Sequence, residues 1–178
     1  MYALWRNGLL VNIAPDINAT LDRMAAELKV LLAQRAIRDP MMVGIHTGGV
    51  WVARQLHQRL GLSQPLGELD ISFYRDDFTR IGINPQVKPS SLPRALDDQH
   101  IILVDDVLHT GRTVRAALNE IFDWGRPASV MLVALVDRGG RELPVEACVV
   151  GERMPLGTHE HVKLSGPSPL KLTVLESP

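Results

Sequence analysis

Two neighbouring acids and a run of hydroxyl and glycine residues stand close together in the middle of the sequence. Asp105 and Asp106 follow a short apolar run, and a threonine-glycine segment comes three residues later. Carboxylates can accept hydrogen bonds from the vicinal hydroxyls of a ribose, and free N–H groups at the start of a helix bind phosphate. The order predicts a ribose-5-phosphate site, with the two acids at the ribose. The predicted phosphate cradle consists of His109, Thr110, Gly111, Arg112 and Thr113.

Each of these residues alone has an ordinary structural explanation. Adjacent acids can simply end a strand, and Thr110 or Thr113 can simply cap a helix. Gly111, in contrast, would let the backbone approach a phosphate closely. The combination of a buried strand, two acids and a threonine-glycine turn that opens a helix therefore favours a binding site over a chance arrangement.

A second glycine-rich turn, Gly44-Ile45-His46-Thr47-Gly48-Gly49, also joins a predicted strand to a predicted helix. Backbone N–H groups in such a turn can bind an anion. Thr47, Gly48 and Gly49 are therefore predicted to hold pyrophosphate beside the ribose phosphate. The alternative is an ordinary turn without a ligand.

Two further charged segments complete the candidate site. Arg75 begins a polar loop, Arg75–Leu92, and an arginine on a loop can close over pyrophosphate and exclude water. It joins the two acids as a candidate catalytic residue. Val136, Asp137 and Arg138 follow another apolar run and are predicted to frame a base. The alternatives are a solvated charge run at Arg75 and an ordinary turn after Val136.

Apolar residues recur with helical and with strand periodicity, in alternation along the chain. Helices are predicted over Asp16–Arg35, Gly49–Leu60 and Thr113–Trp124, and strands over Met41–His46, Leu66–Tyr74, His100–Val104, Ser129–Val136 and Val145–Val150. This alternation indicates an α/β fold with a mainly parallel sheet covered on both faces. Ligands bind at the carboxyl ends of the strands in such sheets, and the three candidate turns all follow a strand. Phe122 is expected on the core side of its helix.

The composition is that of an ordinary globular protein. The 178 residues suit a single domain over 1–178, and 46% of them are hydrophobic. No apolar run approaches the roughly 20 residues of a membrane span, and the first residues lack the pattern of a signal peptide. The net charge of −1 gives little general attraction for nucleic acid. Cys148 is the only cysteine, so we expect a buried thiol, no zinc site and a cytoplasmic location.

These segments together resemble the PyrR family, whose members combine regulation of pyrimidine operons with uracil phosphoribosyltransferase activity. VDDVLHTGRTVRAAL (104–118) is similar to the signature for 5-phosphoribosyl-1-pyrophosphate (PRPP) of type I phosphoribosyltransferases. LVDRGGRELP (135–144) is specific to the family in combination with it. The resemblance covers the chain from about Leu21 to Pro155. It implies the type I phosphoribosyltransferase fold: a central, mainly parallel sheet flanked by helices, with a small hood.

The same resemblance implies a reaction and its ligands. Uracil and PRPP would give UMP and pyrophosphate, with Mg²⁺ held mainly through PRPP rather than by protein side chains. We expect a homo-oligomer, either a dimer or a tetramer, and no membrane partner.

One residue of the signature favours a pyrimidine over a purine base. Related enzymes for hypoxanthine or guanine carry an aspartate immediately before Thr-Gly, where it faces N7 of the purine, and this chain has His109. Family members usually carry an aromatic residue there, so histidine is a departure. Two alternatives stay open: a sensor of UMP or PRPP with little turnover, and a phosphoribosyltransferase for a purine base.

Regulators of the family bind leader RNA, and this chain departs from them at four positions. Asp22 and Ala26 stand where the RNA-binding members place a threonine and a histidine, and Gly140 replaces another histidine. Gly48 replaces an arginine of the pyrophosphate turn, which also bears on catalysis. An acid on a surface that faces phosphates is unfavourable. We therefore expect weak or no specific binding of leader RNA.

Overall fold

A parallel sheet forms the centre of the computed structural model, which describes residues 3–6, 9–12, 15–71, 90–92, 95–157 and 159–176. Its strands are β3 (Met41–Ile45), β4 (Gly67–Leu69), β5 (His100–Leu108), β6 (Ser129–Asp137) and β7 (Val149–Arg153). All five pair in parallel, in the order β4-β3-β5-β6-β7. The predicted α/β fold with a mainly parallel sheet is confirmed.

Three helices pack on this sheet with boundaries close to those predicted. They are α1 (Ile17–Gln34), α2 (Gly48–Leu60) and α3 (Arg112–Trp124). Asp16 caps α1, because its carboxylate accepts hydrogen bonds from the N–H groups of Asn18 and Ala19. Gly61 ends α2 in the left-handed conformation, at a φ of 63°, as expected for a glycine at that position.

The two faces of the sheet carry two separate hydrophobic cores. Side chains alternate between the faces of a strand, so Ile102 and Val104 point to one face while Ile101 and Leu103 point to the other. Residues of α1 and α2 cover the first face. Residues of α3 cover the second. The continuous apolar strands of the sequence are therefore explained by burial on both sides.

Strand β5 extends beyond its predicted end. Val107 and Leu108 pair with Val136 and Asp137 of β6, so the strand continues through the acidic pair instead of stopping before it. The prediction placed both acids at a strand tip, but they are consecutive residues inside a strand and do not share one environment.

Two side chains lie where the prediction did not place them. Phe122 is 57% exposed because it stands beside the apolar stripe of α3, which runs through Val114, Ala117 and Ile121. Cys148 is exposed, and its expected burial was wrong. The chain joins the sheet only at Val149, so the strand predicted over Val145–Val150 lies further along the sequence.

Two antiparallel hairpins lie outside the central sheet. They are β1 (Ala3–Arg6) with β2 (Leu9–Asn12), and β8 (Glu160–Ser165) with β9 (Lys171–Glu176). The second hairpin buries Leu164 and Leu172 in the core on the side of α1 and α2. Within the described ranges, no helix combines the length and the hydropathy that a membrane span requires.

A buried acid of α3 connects the two segments that flank residues 72–89. Glu120 is only 7% exposed, and its carboxylate accepts a hydrogen bond from the Ser90 hydroxyl. The Ser90 oxygen in turn accepts a hydrogen bond from the Asp70 N–H at 3.0 Å. Burial raises the pKa of Glu120, the Ser90 hydroxyl lowers it in part, and the nearby Asp70 and Asp123 raise it further.

This shift predicts that Glu120→Gln stabilises the protein at neutral pH. The folded pKa of Glu120 lies above its unfolded value, so ionisation of this group costs folding free energy as pH rises through the folded pKa. Urea unfolding at pH 4 and pH 8 should show a gain in the free energy of unfolding for Glu120→Gln that is larger at pH 8. The exposed Glu146→Gln serves as the control. An equal gain at both pH values, or a loss at pH 8, would contradict the burial argument.

Candidate active site

A cavity of about 430 Å³ opens between the carboxyl end of β5 and the start of α3. Its lining contains most of the predicted phosphate and ribose residues together with one predicted base residue. These are Asp105, His109, Thr110, Gly111, Arg112, Thr113 and Arg138. The structure therefore brings residues from two of the three predicted turns into one pocket.

The start of α3 has the properties of a phosphate cradle. Gly111 adopts a φ of 91°, and an ideal Cβ there would stand 3.3 Å from Leu143 Cβ and would overlap Val145. Gly111, the residue before α3, has no side chain to cap the helix, and the start of α3 lines the cavity. The Thr110 hydroxyl oxygen accepts a hydrogen bond from the Arg112 N–H at 3.3 Å. Glycine is therefore required at 111, and the helix end is open to an anion.

The two acids occupy different environments. Asp105 lines the cavity but is only 4% exposed, and its Oδ1 accepts a hydrogen bond from the Asp106 N–H at 3.0 Å. Asp106 lies instead against Gly48, where an ideal Cβ would stand 2.9 Å from Asp106 Cβ and closer still to its carboxylate. Burial raises the pKa of Asp106, an effect that hydrogen bonds from Asp105 and from the backbone oppose. Proximity in the sequence therefore does not give the two carboxylates one role.

The predicted pyrophosphate turn stands directly beside this pair. Helix α2 begins at Gly48, after a cis peptide bond between His46 and Thr47. An ideal Cβ at Gly49 would overlap the Val104 carbonyl oxygen and stand 3.1 Å from Asp105 Cα. The absence of a side chain at Gly49 therefore lets the start of α2 pack directly on the end of β5.

An ion-pair network holds the residue that precedes this turn. The His46 Nε2 atom lies 3.1 Å from a carboxylate oxygen of Glu68, and the other oxygen lies 2.6 Å from an Arg54 nitrogen. Glu68 thus links β4 to α2 behind the turn. His46 is only 11% exposed at its side chain, so it supports the turn and does not face the cavity opening.

The third predicted segment divides into structural and site residues. Val136 is fully buried in the core, so only its backbone can meet a base. The Asp137 carboxylate accepts a hydrogen bond from the Gly139 N–H at 3.0 Å and lies 2.8 Å from Arg141 and 3.3 Å from Arg153. Burial raises the pKa of Asp137, but these hydrogen bonds and positive charges outweigh it and hold the pKa below its usual value. Of the three residues, Arg138 is the one whose side chain lines the cavity.

Arg141 organises the site and was not among the predicted residues. Its guanidinium donates to the carbonyl oxygens of His109 at 2.7 Å and Val145 at 3.1 Å, besides its ion pair with Asp137. It therefore ties the phosphate cradle to the end of β6. In the sequence it is one arginine in a charged turn, and no local signal distinguishes it from a solvated residue.

His109 and Arg138 meet a further histidine that sequence reasoning did not identify. Nδ1 of His161, on β8, lies 3.3 Å from an Arg138 nitrogen. Burial lowers the pKa of His109, as do the positive charges of Arg138, Arg141 and the nearby His161, while Glu142 raises it. The His109 imidazole is therefore held in its neutral form at physiological pH. Arg75, the remaining predicted catalytic residue, lies outside the described residues.

Comparison with known proteins agrees with this geometry. Residues 15–160 match the family model of the phosphoribosyl transferase domain, so the chain is a member of the phosphoribosyltransferases. A relative from Pseudomonas paraeruginosa, named bifunctional protein PyrR, is 60% identical over 158 residues, which are 89% of this chain and 93% of that protein. A bifunctional protein PyrR from Nitrosococcus oceani is 57% identical over 164 residues, 91% of this chain and 93% of the relative. Within its class, the chain belongs to the PyrR family.

Solved structures of other phosphoribosyltransferases share the fold. The hypoxanthine phosphoribosyltransferase of Trypanosoma cruzi superposes with a TM-score of 0.66 at 17% identity, covering 91% of this chain and 93% of that one. The enzyme from Staphylococcus aureus gives a TM-score of 0.59 at 21% identity, covering 78% and 74%. At these identities the likeness concerns the fold alone, and it confirms the predicted type I phosphoribosyltransferase architecture.

The open start of α3 predicts that Thr110→Val weakens binding of a 5′-phosphate. Valine keeps the size of threonine but removes the hydroxyl donor, and a lost hydrogen bond to a charged group costs about 1.5–3 kcal/mol, or roughly tenfold or more in affinity. Calorimetric titration with UMP measures the effect. The Thr110 carbonyl still accepts from the N–H groups of Glu142 and Leu143, so the turn should persist.

Thr173→Val, an exposed threonine of β9, is the matched control and should leave UMP affinity unchanged. Wild-type UMP affinity in Thr110→Val would place the phosphate elsewhere.

Proposed function

We propose that the protein is a uracil phosphoribosyltransferase, which converts uracil and PRPP to UMP and pyrophosphate. The main support for this proposal is that the start of α3, Asp105, His109 and Arg138 line the same cavity. The membership in the PyrR family supports it. In this proposal the 5′-phosphate binds at Thr110–Thr113, the ribose at the acids of β5, and the base near His109 and Arg138.

The arrangement suits a reaction in which the protein positions its substrates. The bond from C1′ to the pyrophosphate oxygen breaks, pyrophosphate departs with the bonding electrons, and uracil N1 bonds to C1′ and releases its proton. Positive charge that develops on the sugar is stabilised by the carboxylates of β5. The turn at Thr47–Gly49 and Arg75 are proposed to receive the pyrophosphate. Orientation and exclusion of water then supply much of the acceleration.

Magnesium fits the site as a companion of PRPP. Mg²⁺ usually keeps several waters and binds one or two carboxylates plus substrate phosphates. The acids of β5 offer such oxygens, while the described ranges contain no cluster of three or more potential metal ligands. When bound, the ion neutralises charge on the departing pyrophosphate. A protein that holds Mg²⁺ mainly through its substrate is consistent with this set of donors.

We expect uracil to be used at least about 100-fold better than hypoxanthine or guanine, in terms of kcat/KM. A neutral His109 in place of the aspartate that faces a purine N7 is the physical reason. Steady-state assays with the three bases at fixed PRPP and Mg²⁺ measure this ratio.

The double variant Asp105→Asn with Asp106→Asn should lose most activity and still unfold cooperatively.

Asp97 and Asp98 provide a matched control, because they form an exposed acidic pair in another turn. Changing both to asparagine should preserve activity. A purine turned over faster than uracil would favour the alternative of a purine enzyme, and normal turnover by the variant at Asp105 and Asp106 would remove the acids from the site.

A sensing role with little turnover is the second candidate, favoured by the word bifunctional in the names of the relatives. For the RNA-binding form of that role the described surface of α1 is unfavourable. Asp22 is 69% exposed at its side chain and pairs with Arg59 at 2.7 Å. Arg23 is engaged by the carbonyl of Gly151 and by Glu152 at 3.0 Å. We propose that this face binds RNA weakly.

The assembly of the protein into a dimer or a tetramer and its cytoplasmic location stay predictions.

A gel-shift titration at near-physiological salt, with and without UMP, tests this proposal. We expect no specific shift with a pyrimidine leader hairpin beyond that of a scrambled hairpin. Asp22→Thr with Ala26→His should raise the affinity, because the change removes an acid from α1 and adds an imidazole that can donate a hydrogen bond to phosphate. Gly140 is left unchanged, since its φ is 70° and a Cβ there would stand 2.9 Å from His109 Nε2. A UMP-strengthened, sequence-specific complex of the wild-type protein in the nanomolar range would overturn the proposal.

A further inference from the structure

Asp106 occupies space that a side chain at position 48 would fill. An ideal Cβ on Gly48 would overlap the Oδ2 and Cγ atoms of Asp106 and stand 2.9 Å from its Cβ. All three neighbouring atoms belong to the Asp106 side chain, so the carboxylate lies directly on the backbone of the turn. Asp105 lines the 430 Å³ cavity, whereas Asp106 does not. The carboxylate is thus turned from the phosphate cradle toward the pyrophosphate turn.

The Asp106 carboxylate lies against the first residue of α2. Helix α2 begins at Gly48, and no side chain of the described residues caps its first turn. Its free N–H groups and dipole favour negative charge at this end. The same helix start is the one proposed to hold pyrophosphate.

We propose that Asp106 is a resident anion of the pyrophosphate turn: its carboxylate lies beside Gly48 and must leave this position when pyrophosphate binds. The inference rests on the proposed function, because it takes the turn at Thr47–Gly49 as the pyrophosphate site. After displacement the carboxylate is free to rotate toward the ribose. One side chain thereby couples the two halves of the PRPP site.

Gly48 is the residue that makes this arrangement possible. Any other residue at 48 would place its Cβ on the Asp106 carboxylate and hold Asp106 off the turn. Gly48 therefore acts as a positioning residue for Asp106. Gly49 has a different task, because its missing Cβ makes room for the Val104 carbonyl and the backbone of β5.

The binding of inorganic pyrophosphate alone, in Mg²⁺-free buffer, separates this role from a role at the ribose. Asp106→Asn removes the competing charge with almost no change of shape. It should tighten pyrophosphate binding roughly fivefold or more, since like charges in near contact repel strongly at the effective dielectric constant of a protein site. The same variant should weaken binding of UMP, which contains the ribose but no pyrophosphate. Asp105→Asn is the matched control and should not tighten pyrophosphate binding.

A second variant tests the contact itself. Gly48→Ala should displace the carboxylate without removing its charge, so Asp106→Asn should change pyrophosphate affinity less in the Gly48→Ala background than in the wild type. Equal effects in both backgrounds would show that the contact with Gly48 does not control pyrophosphate binding, and would overturn the proposal.

The outcomes distinguish this inference from the proposed function. A protein that makes UMP from uracil, but whose pyrophosphate affinity is unchanged or lowered by Asp106→Asn, overturns the resident anion and leaves the enzyme assignment intact. If the wild-type protein does not use uracil but Asp106→Asn still tightens pyrophosphate binding, the resident anion is supported. The same result contradicts uracil as the base.

Discussion

The candidate site depends on the close packing of two helix starts, one against strand β5 and the other against the segment that precedes β7. At Gly49 the first turn of α2 rests on the Val104 carbonyl, and at Gly111 the start of α3 rests on Val145. A side chain at either position would separate these elements. Both helix starts lie at the carboxyl edge of one parallel sheet, which is the edge where ligands bind in such folds. A substrate with a phosphate at one end and a pyrophosphate at the other matches two such anion sites.

The charged residues around the cavity serve mainly to hold the turns in place. Arg141 joins the carbonyls of His109 and Val145 to the carboxylate of Asp137. Glu68 joins His46 and Arg54 behind the pyrophosphate turn. The Arg141 contacts fix backbone groups of the cradle turn, and the Glu68 contacts fix side chains behind the pyrophosphate turn. Their cost in buried charge is offset by pairing, and it secures the pre-organisation that a positioning enzyme needs.

Sequence reasoning succeeded where local patterns decide the structure, and it failed where contacts between distant segments decide it. The caps Asp16 and Gly61, the alternation of helices and strands, and the signature from Asp105 to Thr113 were all visible as local patterns. The end of β5 was misplaced because Val107 and Leu108 continue the strand by pairing with β6, which no local pattern reveals. The region after Pro144 was misread because Val145 packs near Gly111 and does not enter the sheet.

The sequence by itself determined the class of fold and the PyrR family, because apolar periodicity, helix starts and a contiguous motif are encoded over a few residues. The chemistry of the site is a prediction from the same motif. Only the tertiary structure decided which side chains line the cavity and which ones support the neighbouring turns. Asp105 faces the cavity while Asp106 lies on Gly48, Asp137 holds a turn while Arg138 lines the site, and His161 reaches Arg138 from a separate hairpin. These assignments follow from the alternation of side chains along strands and from contacts between residues far apart in the chain, so they emerge only when the sheet and its helices are assembled.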